Sequence, residues 1–121
     1  MRAALLQLIL ITVTILITGC GQNKSATGIE DNLNKIITNK QYMVSSNPND
    51  YIKNQLSAYK EILGMGDEAL AYLTKELRTS DQDGLREWVM AKACEDILKD
   101  HSSVKEWATG KEWIKKYDES K

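Results

Sequence analysis

Residues 85–99 have the sequence LREWVMAKACEDILK, and no other stretch beyond residue 20 is as apolar. Its apolar side chains recur at spacings of three and four residues, which predicts an α-helix. They cover more than one narrow stripe, as is typical of a helix surrounded by other helices. We therefore expect a central helix that buries Leu85, Trp88, Val89, Ala93, Cys94, Ile97 and Leu98.

Helix-start patterns divide the preceding residues into three further helices. Thr27 and Glu30 fit a capping box. Asn47 and Pro48 fit an N-cap followed by a proline at the first helical position. A third start lies near Asp67, because acidic side chains suit the first turn of a helix.

The turn before this third start is glycine-rich. Gly64 is expected to end the second helix in a left-handed conformation, and Gly66 to permit an immediate reversal of the chain.

Two cap-like patterns follow the central helix, at residues 103–106 and 109–112. They predict a short turn carrying Trp107 and a last helix carrying Trp113 and Tyr117. Strand-like alternation is absent from the sequence. We therefore predict an all-α domain over residues 29–121, either a small bundle of about five helices or a short HEAT-like solenoid.

Residues 66–98 resemble a HEAT-type helical hairpin. The segment GDEALAYL at 66–73 is similar to the first helix of such a repeat, and the small residues of 85–98 are similar to the packing face of the second. Proteins built from HEAT repeats usually bind other proteins, so the resemblance implies an interaction role.

Residues 1–19 differ from the rest of the chain. Arg2 is followed by an almost wholly apolar run from 3 to 17, which is the layout of a secretory signal peptide. The run is shorter than the roughly 20 residues that cross a bilayer as a helix. We predict that this segment is removed.

The junction Ile17-Thr18-Gly19-Cys20 resembles the lipobox of bacterial lipoproteins. The resemblance implies cleavage before Cys20 and attachment of a diacylglyceryl group to its thiol. Two acyl chains hold a protein durably, so the chain would sit on the outer face of the cell membrane. Residues 20–28 would then be the lipidated cysteine and a flexible tether. The many Asn, Lys and Ile residues suggest a Gram-positive host.

Charge and cysteine content limit the partners. Loss of Arg2 with the signal takes the formal charge from −1 to −2, which argues against nucleic acid. Of the two cysteines, a lipidated Cys20 leaves Cys94 without an intrachain partner. Its apolar neighbours predict burial.

No motif indicates catalysis, a cofactor or a metal site. His101 is the only histidine, and no nucleophile pattern accompanies it. Trp107, Trp113 and Tyr117 are the candidate partner-binding residues. The alternative is that the two tryptophans form a lid closing one end of the bundle.

Two functions remain open. The first is a non-enzymatic interaction module that engages another membrane or surface protein. Small lipoproteins that block conjugation or phage entry are similar in layout, so an exclusion or immunity role for a mobile element is one version. The second is binding of a small ligand or cell-wall fragment. An aromatic-lined pocket would favour the second function, and a convex exposed patch the first.

Overall fold

A computed structural model describes residues 20–39 and 45–121 of the chain. Within these ranges it contains α-helices and one short 3₁₀ helix, and no strand, which confirms the all-α prediction. The helices are α1 (Cys20–Ile37), α2 (Pro48–Asn54), α3 (Leu56–Gly64), α4 (Asp67–Thr79), α5 (Leu85–Leu98), the 3₁₀ helix (Lys99–His101) and α6 (Gly110–Glu119).

The first helix is longer than predicted. α1 begins at Cys20, so the residues expected to form a flexible tether are helical and Thr27 is not an N-cap. Residues 22–26 contain no proline and no glycine, so nothing stops the helix from extending beyond its packed part. The predicted signal peptide lies outside the described residues.

The predicted second helix is two helices. The chain leaves helical geometry at Gln55, where φ is −127° and ψ is 45°. The Gln55 amide bonds to the Ile52 carbonyl, and α3 starts at the next residue. The predicted start is correct: the Asn47 side chain accepts from the Asn49 amide at 3.1 Å, and Pro48 follows it.

The turn between α3 and α4 differs from its prediction in one residue. Gly64 is the last helical residue of α3 and has no positive φ. Gly66 instead has the positive φ, 55°, which glycine adopts more readily than any other residue. The reversal therefore depends on Gly66 alone.

α5 is the central helix, as its sequence predicts. It contacts each of the other five α-helices, and its Val89, Met90, Ala93 and Cys94 are completely buried. The predicted hairpin partner α4 packs closely against it.

A buried carboxylate fixes the start of α5. Glu87 is only 3% exposed. Its carboxylate accepts from the Ser80 hydroxyl at 2.7 Å and from the Gly84 amide at 2.9 Å. These bonds close the turn between α4 and α5.

α6 is attached to the bundle at its first turn. Thr109 caps it by accepting from the Glu112 amide, as predicted. Gly110 lies so close to α5 that a Cβ there would be 2.3 Å from the Glu87 carbonyl oxygen. The Lys111 ammonium donates to the carbonyls of Leu77 and Ser80, at 2.8 Å each, and so caps the end of α4.

The core is continuous through all six α-helices. Cys94 is buried and unpaired, as predicted. None of the helices within the described ranges is long and apolar enough to cross a membrane. The largest completely buried side chains are Trp113, Ile29, Leu33, Ile36, Ile62, Leu73, Leu77 and Met90.

Candidate functional site

The candidate partner-binding aromatics do not form one group. Trp113 stacks on Tyr117 with ring centroids 4.9 Å apart and planes 13° apart. Trp107 lies elsewhere, against Trp88, with centroids 5.4 Å apart. The three candidate residues are therefore divided between two separate ring pairs.

Trp113 is a core residue. Its side chain is completely buried, and its indole N–H donates to the Glu95 carboxylate. The same carboxylate oxygen accepts from the Ser102 hydroxyl at 2.6 Å. Trp113 therefore cannot be an exposed anchor for a partner, because its face is covered and its polar atom is satisfied. The sequence had left open whether Trp113 is an anchor for a partner or part of a lid over one end of the bundle, and its side chain is buried.

Tyr117 and Trp107 are both half-buried. The Tyr117 ring has Trp113 on one side and the Lys121 ammonium 4.4 Å from its centroid. Trp107 packs against the core from the connection between the 3₁₀ helix and α6. Neither residue forms a convex exposed patch, and Leu56 is the one large hydrophobic side chain exposed in the described part of the chain.

A cleft of about 280 Å³ lies beside Trp88. Three separate segments line it: the residues before and within α2, the start of α5, and the residues before α6. Its two aromatic lining residues are Tyr51 and Trp88. We name it the Trp88 cleft, and its lining is Ser45, Ser46, Pro48, Tyr51, Asp83, Gly84, Leu85, Trp88, Ala108 and Thr109.

Local hydrogen bonds hold the walls of the Trp88 cleft in place. The Ser45 hydroxyl donates to the Asp50 carboxylate at 2.6 Å, and the Tyr51 hydroxyl reaches the Ser45 carbonyl at 3.5 Å. On the other side, Asp83 accepts from the Lys111 amide at 3.0 Å. The α2 wall and the α6 wall are therefore each fixed by their own polar contacts.

The sequence did not predict this cleft. It assigned Trp88 to the core, whereas the structure leaves that indole half-buried. Tyr51, Asp83 and Thr109 are far apart along the chain, so no spacing pattern could link them. The two capping motifs were the one sequence feature that lies in the cleft lining. They predict compact turns at the starts of α2 and α6, but not that these turns meet.

A second cavity, of about 430 Å³, lies between α1 and α4. Above it, Glu30 accepts from the Tyr72 hydroxyl at 2.5 Å and from the Arg86 guanidinium. Burial and the bond to Glu30 raise the pKa of Tyr72 above its usual range. These bonds tie α1 to α4 and α5.

Two further acidic residues of α5 also have internal partners. Asp96 accepts from the Tyr59 hydroxyl and from Lys92, and burial together with the Asp96 bond raises the pKa of Tyr59. Glu95 holds Trp113. These carboxylates are structural acceptors within the bundle.

The remaining polar residues form no reactive constellation in the ranges that the structure describes. His101 is exposed in the 3₁₀ helix, with no nucleophile bonded to it there. Within these ranges, no three His, Cys, Asp or Glu side chains converge on a possible metal site.

The comparisons with known proteins give no relative. No protein-family model matches the chain, and no curated protein or solved structure matches it either.

Proposed function

We propose that this chain is a lipid-anchored protein on the outer face of the cell membrane and acts there as a non-enzymatic interaction module. The observation that carries the proposal is Ile17-Thr18-Gly19-Cys20, which follows an apolar signal-like segment directly. Small residues at 18 and 19 let an extended chain enter a peptidase site, and the Cys20 thiol can be alkylated. The segment 3–17 is too short to be a durable transmembrane anchor by itself.

The Trp88 cleft supports a protein partner within this proposal. Sites that enclose a whole small ligand usually have volumes of roughly 300–1,000 Å³. At about 280 Å³ the Trp88 cleft is small for that purpose, but it has room for a large side chain of a protein. Inserted side chains of this kind dominate the energy of many protein interfaces. The partner would be another membrane or surface protein.

A blocking role is the specific version of this proposal. A small anchored protein without a reaction to perform can act by occupying a receptor or channel of the same cell. Exclusion or immunity functions of mobile elements need this arrangement. The support is the layout alone: lipobox-like junction, helical domain and one compact recognition cleft.

The test has two parts, both in intact cells. First, mass spectrometry of the membrane fraction should find an acylated Cys20 at the mature N-terminus, and Cys20→Ala should leave the membrane or remain as precursor. An unmodified Cys20 in the mature protein would contradict the anchor.

Second, a photo-crosslinking amino acid at Ala108, an exposed residue of the Trp88 cleft, should capture one dominant protein. The matched control is the same amino acid at Ala71, which is exposed on α4 outside the cleft. Equal capture at both positions would mean that the Trp88 cleft is not the interface. Capture at Ala108 should fall when Cys20→Ala is introduced.

Binding of a small ligand or cell-wall fragment is the second candidate. The aromatic lining by Tyr51 and Trp88 favours it, because ligand sites commonly combine aromatic side chains with a few polar groups. Titration of the purified protein with soluble wall fragments, followed by the fluorescence of Trp88, tests this candidate. A saturable change that is lost in Trp88→Leu would support it over the protein partner.

A further inference from the structure

The charge on the described lining of the Trp88 cleft is negative. Asp83 is its only charged lining residue, and no Lys or Arg of the described ranges lines it. Asp50 stands directly behind the cleft wall, bonded to Ser45. Neither of these two carboxylates is in an ion pair with a described residue, so the described lining of the cleft is acidic.

The nearest cationic groups are already committed elsewhere. Arg86 binds Glu30, and lies 3.8 Å from Glu76. The Lys111 ammonium caps the carbonyls at the end of α4, as described above. Both cations therefore have partners other than the Asp83 carboxylate, which is exposed and open to an additional cationic group.

The aromatic lining selects the type of cation. The half-buried indole of Trp88 offers a ring surface, and tryptophan is the best ring for cation–π contacts. A guanidinium can stack on an aromatic face while its planar N–H groups reach a carboxylate. Its apolar stem suits the contact with Leu85 and Pro48. An arginine side chain therefore fits this cleft better than a free metal ion or a compact ammonium.

The position of the cleft identifies the carrier of this arginine. α3 runs opposite to α1, since Asn32 donates to Glu61 and Gly28 faces Met65. α4 then returns alongside α1 and ends near the Trp88 cleft, so the cleft is at the end of the bundle away from Cys20. The 18 residues of α1 span about 27 Å. The cleft is therefore separated from the proposed lipid attachment point by about the length of α1, on a part of the bundle that a protein can approach.

We propose that the Trp88 cleft binds an arginine side chain, presented by a protein segment, between the Trp88 indole and the Asp83 carboxylate. The inference rests on the proposed interaction function and names the chemistry of its partner. The apolar stem of the arginine lies on the cleft wall, and the guanidinium pairs with the Asp83 carboxylate. Binding weakens as salt rises, because the pair is near the surface.

The test is a titration of the full-length protein, purified from membranes in detergent. The probes are acetyl-Gly-Arg-Gly-amide and the same peptide with citrulline, which has the shape of arginine without its charge. The readout is the indole N–H resonance of Trp88 in NMR spectra. We expect saturable, millimolar binding of the arginine peptide and about three- to tenfold weaker binding of the citrulline peptide.

The variants separate charge from structure. Asp83→Asn keeps an oxygen that can accept from the Lys111 amide and removes only the charge, so it should weaken binding of the arginine peptide about threefold. Asp81→Asn, in the same turn but outside the cleft lining, should leave binding unchanged. Melting curves of both variants confirm that they fold.

The outcomes are distinguishable from those of the proposed function. Equal binding of both peptides, no binding of either, or no effect of Asp83→Asn would overturn the arginine inference. The interaction function would still stand if the crosslinker at Ala108 captured one protein in cells. If that capture failed as well, the proposed function would be wrong too.

Discussion

Lys99 and Gly66 have almost the same backbone conformation, although only one of them is a glycine. Their φ and ψ angles are 53° and −126° for Lys99, and 55° and −127° for Gly66. In an L-residue this geometry brings Cβ close to the backbone, whereas glycine adopts it freely. The end of α5 therefore contains strain on the order of 1–3 kcal/mol that the turn before α4 avoids.

Lys99→Gly should stabilise the protein. Relief of the strained backbone outweighs the larger entropy of glycine in the unfolded chain, so we expect a gain of about 1 kcal/mol in the free energy of unfolding. Urea denaturation followed by circular dichroism measures it. As a control, Lys105→Gly removes an exposed lysine from a position without positive φ and should give no gain. A loss of stability in Lys99→Gly would show that the Lys99 side chain contributes more than the strain costs.

The two glycines of the α3–α4 turn should respond in opposite directions to alanine. Gly64→Ala adds a methyl group in open space at the end of a helix and should stabilise by about 0.5–1 kcal/mol. Gly66→Ala imposes the strain of a positive φ and should destabilise by about 1 kcal/mol or more. Thermal melting of the pair is the measurement, and equal shifts in the same direction would contradict this description of the turn.

Gly110→Ala should be the most damaging of the alanine substitutions at the five glycines Gly28, Gly64, Gly66, Gly84 and Gly110. Its new Cβ would lie 2.3 Å from the backbone carbonyl oxygen of Glu87. To relieve this overlap, α6 would have to move away from α5. We expect a loss of at least about 2 kcal/mol. Gly84→Ala is the matched control, since its nearest neighbour there is the end of the Glu87 side chain at 3.9 Å. A melting temperature of Gly110→Ala close to the native value would mean that α6 is less tightly packed than described.

Cys94 should be unreactive in the folded protein. Burial, with a smaller contribution from Glu95, raises the pKa of the Cys94 thiol to about 12. Its thiolate is therefore scarce at neutral pH, and no reagent can reach it. A thiol reagent at a pH of about 8 should label Cys94 only after urea is added. Cys94→Ala should cost about 1–2 kcal/mol, as a small truncation in the core. Rapid labelling of the native protein would show that the face of α5 carrying Cys94 is exposed to solvent.

Glu87 should make the protein sensitive to acid. Burial alone would raise the pKa of Glu87, but the bonds from Ser80 and Gly84 outweigh it and hold that pKa below the ordinary 4.5. A carboxyl with a depressed folded pKa stabilises the protein above its unfolded pKa, and this stability is lost as the pH falls through the folded pKa.

Urea midpoints between about pH 3 and pH 7 measure this dependence. Glu87→Gln should be less stable near neutral pH and should lose less stability on acidification. Asp81→Asn, an exposed carboxyl in the same turn, should follow the native curve. If the urea midpoint changed equally with pH in the native protein and in Glu87→Gln, Glu87 would not be a cause of the acid sensitivity.

The helices were predictable where local chemistry is strong. The apolar periodicity of α5, the Asn47-Pro48 start and the Thr109 cap each act within a few residues, so the sequence is sufficient to place them. The break at Gln55 was not predictable in this way. Tyr51 and Ile52 before the break and Tyr59 after it are all in the core. Their burial depends on helices that are distant in sequence, so no local pattern marks the break.

The candidate site was less predictable than the fold. The sequence left open whether Trp113 is buried, because lysines and glutamates surround it. Glu95 of another helix provides the hydrogen bond that lets its indole be buried. The close approach of Gly110 to α5 is likewise invisible without the partner helix. Clefts and close approaches depend on residues that meet only in the folded chain.

The continuity of α1 has a mechanical consequence. A slack linker would absorb a pull on its end, whereas a helix that begins at Cys20 and packs against α2, α3, α4 and α5 transmits the pull into the core. If Cys20 is anchored as proposed, a force applied by a partner at the far end of the bundle would act on both the folded core and the lipid chains. The weaker of the two, extraction from the bilayer or rupture of the bundle, would then set the force that this protein withstands.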